Sequence, residues 1–272
     1  SNLTSNGVTT FNADSNSTGT GSFTINSLKT LNTTNSTLSI TSKSISLNSN
    51  GVMNSGTAGT TLQVSQSGDT IGLGGGAGTF SLSSNDVAQI TASGLTIGSA
   101  ANGTITVDGV TSTSTPLTLI ATKGTSAVNF SSNTSSFSNL TLDAGTGGVD
   151  FGSNVSTSGN LNVTSGGTIT DTGTLTIAGT STLTTDVANQ AITLDNTSNS
   201  FIGAVSLNTI GTGDATLASN NAVILSTSTV GSNLDVTVRG DNTLNVENSA
   251  TVGGSINLLA DGDIIFTAAG DL

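Results

Sequence analysis

The sequence predicts an all-β protein, a parallel β-solenoid of about a dozen coils of roughly 19–23 residues each. Three observations carry that expectation. A short apolar–polar–apolar triplet recurs along the whole chain. Paired triplets return at a nearly constant interval. Between them lie residues that turn a chain easily, chiefly Gly, Asn, Ser and Asp.

The triplets begin with Phe23-Thr-Ile25, Leu38-Ser-Ile40, Ile45-Ser-Leu47, Leu62-Gln-Val64, Ile71-Gly-Leu73 and Phe80-Ser-Leu82, and run on from Leu95-Thr-Ile97 to Ile264-Ile-Phe266. Alternation at period two marks half-buried strands, here rich in β-branched residues. No segment sustains a 3.6-residue apolar period, so helix is expected to be almost absent. The one candidate for a single turn is Asn85–Ile90.

Leu95, Leu117, Leu140 and Leu161 open successive pairs of triplets. After an irregular stretch around Leu175 and Leu183, Ile192, Ala215, Leu234 and Ile256 do the same. Residues 95–272 are therefore expected to form regular coils and 1–94 less regular ones, in one continuous solenoid excerpted from a longer chain. Each coil brings two or three strands round a narrow lumen, and stacking turns each pair of inward side chains into a ladder. An antiparallel sandwich or barrel is the architectural competitor. Its strands of about 5–6 residues and its hairpin turns fit these shorter triplets less well.

Composition removes most functional classes. Only 7% of the 272 residues are charged and 3% are aromatic, all Phe, so the core is expected to come from Val, Ile, Leu and Ala. Hydrophobic residues still reach 33% and are regularly spaced, which argues against a disordered polar linker. Absence of Cys excludes a disulfide framework. A net charge of −12 with only Lys29, Lys43, Lys123 and Arg239 as cations offers no footprint for nucleic acid or anionic lipid. No apolar run approaches the roughly 18–20 residues that span a bilayer, so no membrane insertion is expected. The sequence opens at Ser1 with no basic-then-apolar run and reads as a mature product or an excerpt from a longer chain. Its last stretch, 266–272, reads as a cut edge.

Catalysis is not expected. There is no His, and the acidic residues are mostly isolated. Asp150 and Asp171 stand about one coil apart and are candidates for adjacency, against the simpler reading of two solvated turn carboxylates. The best cation candidates are Asp241, Asp261 and Asp263, with Asp235 a further option, since hard oxygen ligands at alternating positions suit Ca²⁺. Gly-Asp is also ordinary turn chemistry, and the calcium-binding nonapeptide is missing. The glycine run 72–78 lacks the Lys-Ser/Thr ending of a phosphate loop and is expected to be a corner. Thr104/Thr106, Thr168/Thr170, Thr174/Thr176 and Thr182/Thr184 are candidates for a threonine array of the ice-binding kind, at uneven spacing.

Segments 71–82, 166–171, 192–207 and 258–266 resemble repeats of the filamentous-haemagglutinin-like adhesins and related large bacterial exoproteins, over most of 70–272. The resemblance implies a right-handed β-helix at an extracellular bacterial surface, exported by a two-partner or autotransporter route. The Asn-Pro-Asn-Gly signature of the family's secretion domain is not found, nor is a C-terminal barrel, so the likeness is to shaft alone. It implies a non-catalytic structural role with no cofactor. Its partners would be copies of itself stacked end to end, neighbouring segments of its own protein, or host and cell-surface glycans. A carbohydrate-binding or carbohydrate-cleaving β-helix is the alternative.

Overall fold

Every triplet named above lies in a strand of the computed structural model, which describes residues 1–48 and 50–267. The expected cut edge at 266–272 falls largely outside the described residues. The strands pair in parallel and stack as a solenoid of about 11 turns. The only helix among the described residues is Ser84–Ala88, which overlaps the segment Asn85–Ile90 expected to make a turn. Its start is a capping box: the Ser83 hydroxyl accepts the Asp86 N–H, and the Asp86 carboxylate accepts the Ser83 N–H.

Each regular coil has three faces. The first is a 14-stranded sheet in which Leu95, Leu117, Leu140, Leu161, Ser181 and Val205 stack in one register. The second is a 10-stranded sheet with a ladder of Ile71, Ile105, Val128, Val149, Ile169, Ile192, Ala215, Leu234 and Ile256. The third face is two separate sheets. Leu3–Thr4, Thr30–Asn32, Val52–Asn54 and Ile90–Thr91 form one, and Thr111–Ser112, Ser135–Phe137, Val155–Thr157, Leu175–Ile177 and Ser200–Phe201 form the other. The two leucine and isoleucine series expected to continue one another therefore belong to different faces. The apparent irregularity between them arises because Ser181, buried, takes the leucine position of its ladder.

The core corrects one expectation. Phe80, Phe130, Phe137, Phe151 and Phe201 are all fully buried beside the aliphatic ladders. Phe130 and Phe151 occupy one ladder position on successive coils, and their rings stack with centroids 5.2 Å apart; Phe137 meets Phe130 edge-on at 6.2 Å. The spacing between parallel strands, roughly 4.8 Å, suits the offset ring stack of Phe130 and Phe151, while Phe80 and Phe201 are buried beside the aliphatic residues Ile71 and Ile177.

One coil breaks the pattern. Thr60 is followed in its ladder by Leu95, a far longer step than from Leu95 to Leu117. The extra chain leaves Ile71–Gly74, folds back, and re-enters as Phe80–Leu82, which pairs with Ile71–Gly74 on the side nearer the N-terminus. The connecting loop is the glycine run. A Cβ on Gly78 would lie 2.1 Å from the Gly72 nitrogen, and one on Gly72 2.1 Å from the Gly76 oxygen, so only bare backbone fits.

Candidate functional site

Outward side chains follow the same ladders. On the first face Thr61, Thr96, Thr118, Thr141, Asn162, Thr182 and Ser206 stand in line. The threonine pairs that suggested an array do not share a surface. Thr106 and Thr170 lie on the second face with Asn129 and Asp150 between them; Thr176 is on the third face, and Thr182 and Thr184 are on the first.

Asp150 and Asp171 do not converge. Asp150 aligns with Thr170, whose hydroxyl it accepts at 3.2 Å, whereas Asp171 aligns with Phe151 and points into the core. One residue of offset on a strand reverses the side-chain direction, so two acids a coil apart can face opposite ways. The Asp171 carboxylate accepts the Asn199 amide at 2.6 Å, and the other Asn199 amide atom, Oδ1, accepts the Leu175 N–H at 2.8 Å. Burial, opposed by that hydrogen bond, pushes the Asp171 carboxyl above the usual range.

Several other acids and many Asn residues serve the corners. Asp108 accepts the backbone N–H of Asn133 at 2.8 Å, and Asp214 that of Asn233 at 2.8 Å, which holds Asp214 below the usual carboxylate range. Asn139 and Asn160 accept the N–H groups of Asn160 and Thr180. The corner residues Gly159 and Gly179 leave room for those amides: a Cβ there would sit 2.3 and 2.4 Å from the Asn139 and Asn160 oxygens. Where coils turn, backbone donors have no ladder partner, and an Asx side chain one coil away supplies the acceptor. Composition announced turns; it did not announce that the turns are stitched together along the axis.

Of the proposed calcium ligands, Asp261 belongs to this system. Asp261 accepts the Gly240 N–H at 2.9 Å, Asp235 accepts the Asn257 amide at 3.1 Å, and Asp241 occupies a positive-φ corner at 58°. The Asp263 backbone oxygen accepts the Leu244 N–H. Among the described residues no group of three or more Asp, Glu, His or Cys is placed to hold a metal ion.

Four further features escaped sequence reading. Asp143 is raised by burial and, secondarily, by Asp186, an acidic pair concealed by separation along the chain. Asp14, in the first coil, accepts the Ser65 hydroxyl at 2.6 Å, the Thr18 and Gly19 N–H groups and the Gln66 amide, and so staples the first coil to the third. Lys43 donates to both oxygens of Asp69 at 2.9 Å. A cleft of about 310 Å³ opens where the third face is interrupted, lined by Ile90, Ala92 and Ser112–Thr115 among others.

A family described as "Repeats of unknown function (DUF5649)" matches residues 137–208, the coils in which all three faces are laddered. No curated protein and no solved structure matches the chain.

Proposed function

We propose that this β-solenoid is a segment of the structural shaft of a secreted or cell-surface bacterial adhesin or filament, a spacer that performs no chemistry of its own. The observation that best supports this is the use made of polar groups. Carboxylates and amides that could have converged on a ligand instead bind backbone of the adjacent coil at corner after corner, for example at Asp108, Asn139, Asn160 and Asp214. A shaft needs that stitching along its whole length; a site needs it interrupted in one place. The resemblance to filamentous-haemagglutinin-like repeats points the same way. Its extracellular setting and lack of a cofactor are adopted here as part of the proposal.

Deletion of single coils tests it. Removing residues 140–160 brings Leu161 into the register of Leu140, and removing 161–180 brings Ser181 into that of Leu161. Each deletion should leave a folded rod shorter by roughly 4.8 Å. With the chain displayed on a cell surface, the reach of an epitope at its tip should fall equally for each coil removed. If one deletion alone abolishes adhesion or an activity, the function lies in a site and the shaft reading fails. Deletion of 140–160 is especially informative because it removes Asp143, half of the acidic pair.

A further inference from the structure

Where regular coils meet, all three faces are paired, but the coil of residues 60–94 lacks one face on each side. Toward the N-terminus, Ser44–Leu47 and Phe80–Leu82 belong to different sheets, so the second face is broken. Toward the C-terminus, Ile90–Thr91 and Thr111–Ser112 belong to different sheets, and the cleft of about 310 Å³ opens at that break in the third face. The first face alone runs past both gaps, and it narrows there. Thr60–Leu62 pairs with Leu95–Ile97, whereas Leu38–Ser42 pairs with Thr60–Val64, and Leu95–Ser99 with Leu117–Ala121, along their full length. Corner stitching lapses at the same place. Gly94, Pro116, Asn139, Asn160 and Thr180 stand just before ladder residues Leu95, Leu117, Leu140, Leu161 and Ser181, at one corner position on successive coils. Asn139 and Asn160 accept the N–H one coil on, but Gly94 has no side chain to accept with and Pro116 no N–H to donate.

Side chains of the helix Ser84–Ala88 bridge both gaps. The Asp86 carboxylate accepts the Leu47 N–H at 3.1 Å across the first, and the Ser84 hydroxyl accepts the Thr111 N–H at 3.1 Å across the second. The Thr115 hydroxyl adds a longer bond, 3.4 Å, to the Ile90 oxygen. We propose that this coil is an elbow in the rod. The stretches on either side change their mutual angle as the cleft opens and closes, with the narrowed first face as the hinge and the helix as the restraint. Separate hydrogen bonds are replaced by water one at a time, whereas a continuous ladder with buried side chains is lost only as a whole. The elbow lies inside the chain with coils stacked on both sides, so it does not depend on what precedes residue 1 or follows residue 272. It concerns how the rod moves rather than what the rod carries, and it stands or falls apart from the shaft reading.

The chain has no Cys, so spin labels on paired Cys substitutions report single distances. Thr30→Cys with Thr176→Cys spans the elbow along the third face. Thr106→Cys with Thr216→Cys spans five successive strand pairings of the second face, all beyond the elbow. None of the four positions is buried. Double electron–electron resonance should give a distance distribution roughly twofold or more wider for the first pair than for the second. Ser84→Ala, shown by circular dichroism to be folded, should widen the first distribution further and leave the second unchanged. Equal widths for the two pairs, whether both narrow or both broad, would overturn the elbow, since the rod would then be uniformly stiff or uniformly pliant. A first distribution that Ser84→Ala leaves as it was would overturn the helix as its restraint.

Discussion

Between Leu95 and Phe201 the chain repeats one three-faced coil, whereas between Thr60 and Thr91 it makes a single coil of another kind. In the first region nearly every inward residue has an equivalent above and below it, and the strands meet residue for residue. In the second, a strand doubles back on itself, a helix replaces a corner, and the third face is broken by a cleft. The repeated region is held by side chains in ladders. The irregular coil buries Ile71, Leu73, Phe80, Leu82 and Val87 as well, and what sets it apart is the bare backbone of Gly72, Gly76 and Gly78 and one capping box. Repetition makes stability a matter of nearest neighbours, so damage in a ladder is felt by adjoining coils; an inserted loop answers mainly to itself.

Phe151→Ala should expose that contrast most strongly. The ring is fully buried and stacked on Phe130, and deleting it leaves a cavity with ladders on both sides. A loss of about 3–5 kcal/mol is expected in denaturant unfolding. Hydrogen exchange should accelerate first in the coils from Ile105 to Ile177, above and below the cavity. Acceleration confined to Gly148–Phe151 would mean that the coils are not coupled as neighbours.

Gly78→Ala probes the other region at a smaller scale. Its Cβ would meet the Gly72 nitrogen at 2.1 Å and the Ile71 carbonyl carbon at 2.5 Å, so backbone must move. The expected cost is about 1–3 kcal/mol, as for other overpacked sites. Exchange should rise in 71–91 and stay unchanged in 117–200. An equal rise in both would show that the doubled strand and the repeated coils unfold as one unit.

That same division governs what the sequence disclosed. The triplets were legible because two inward apolar residues flank one outward residue, and they located strands on the first two faces and, at Leu175–Ile177, one strand of the third. Most of the third face was hidden, since Ser112, Ser135 and Thr157 occupy inward positions there and are buried. Ser135 is accommodated because its hydroxyl accepts the Val110 N–H, a bond that no period reveals. Ser181 disguised a continuing leucine ladder as an irregularity. The glycine run was legible as a loop, but its return beneath the previous strand depends on contacts between chain segments that composition does not encode. Of the site candidates, Asp150 and Asp171 had suitable spacing and the wrong parity; spacing by coil places residues at one height, and only register says which way they face.

Acid should separate the two ends of this comparison, with the smallest effect and opposite signs. The Asp14 staple joins the first and third coils, and the Ser65 hydroxyl foremost, with the Gly19, Gln66 and Thr18 donors, lowers its carboxyl to about 2. A carboxyl depressed in the folded state contributes stability above the ordinary range near 3.8, and loses it as pH falls toward 2. Asp171, in the repeated coils, is raised, chiefly by burial and slightly by Asp195, against the Asn199 hydrogen bond. The native state then holds its proton more tightly than the unfolded chain, so stability is greatest below the ordinary range and declines as pH rises through it. Thermal melts at pH 3 and pH 7 should therefore show Asp14→Asn weakening the protein at pH 7 and mattering less at pH 3. Asp171→Asn should strengthen it at pH 7 and change little at pH 3, since an amide there can still accept from Asn199. A fall in melting temperature for Asp171→Asn at pH 7 would mean that the buried carboxylate and Asn199 form a net favourable pair. The repeated coils would then be stitched through their core as well as along their corners.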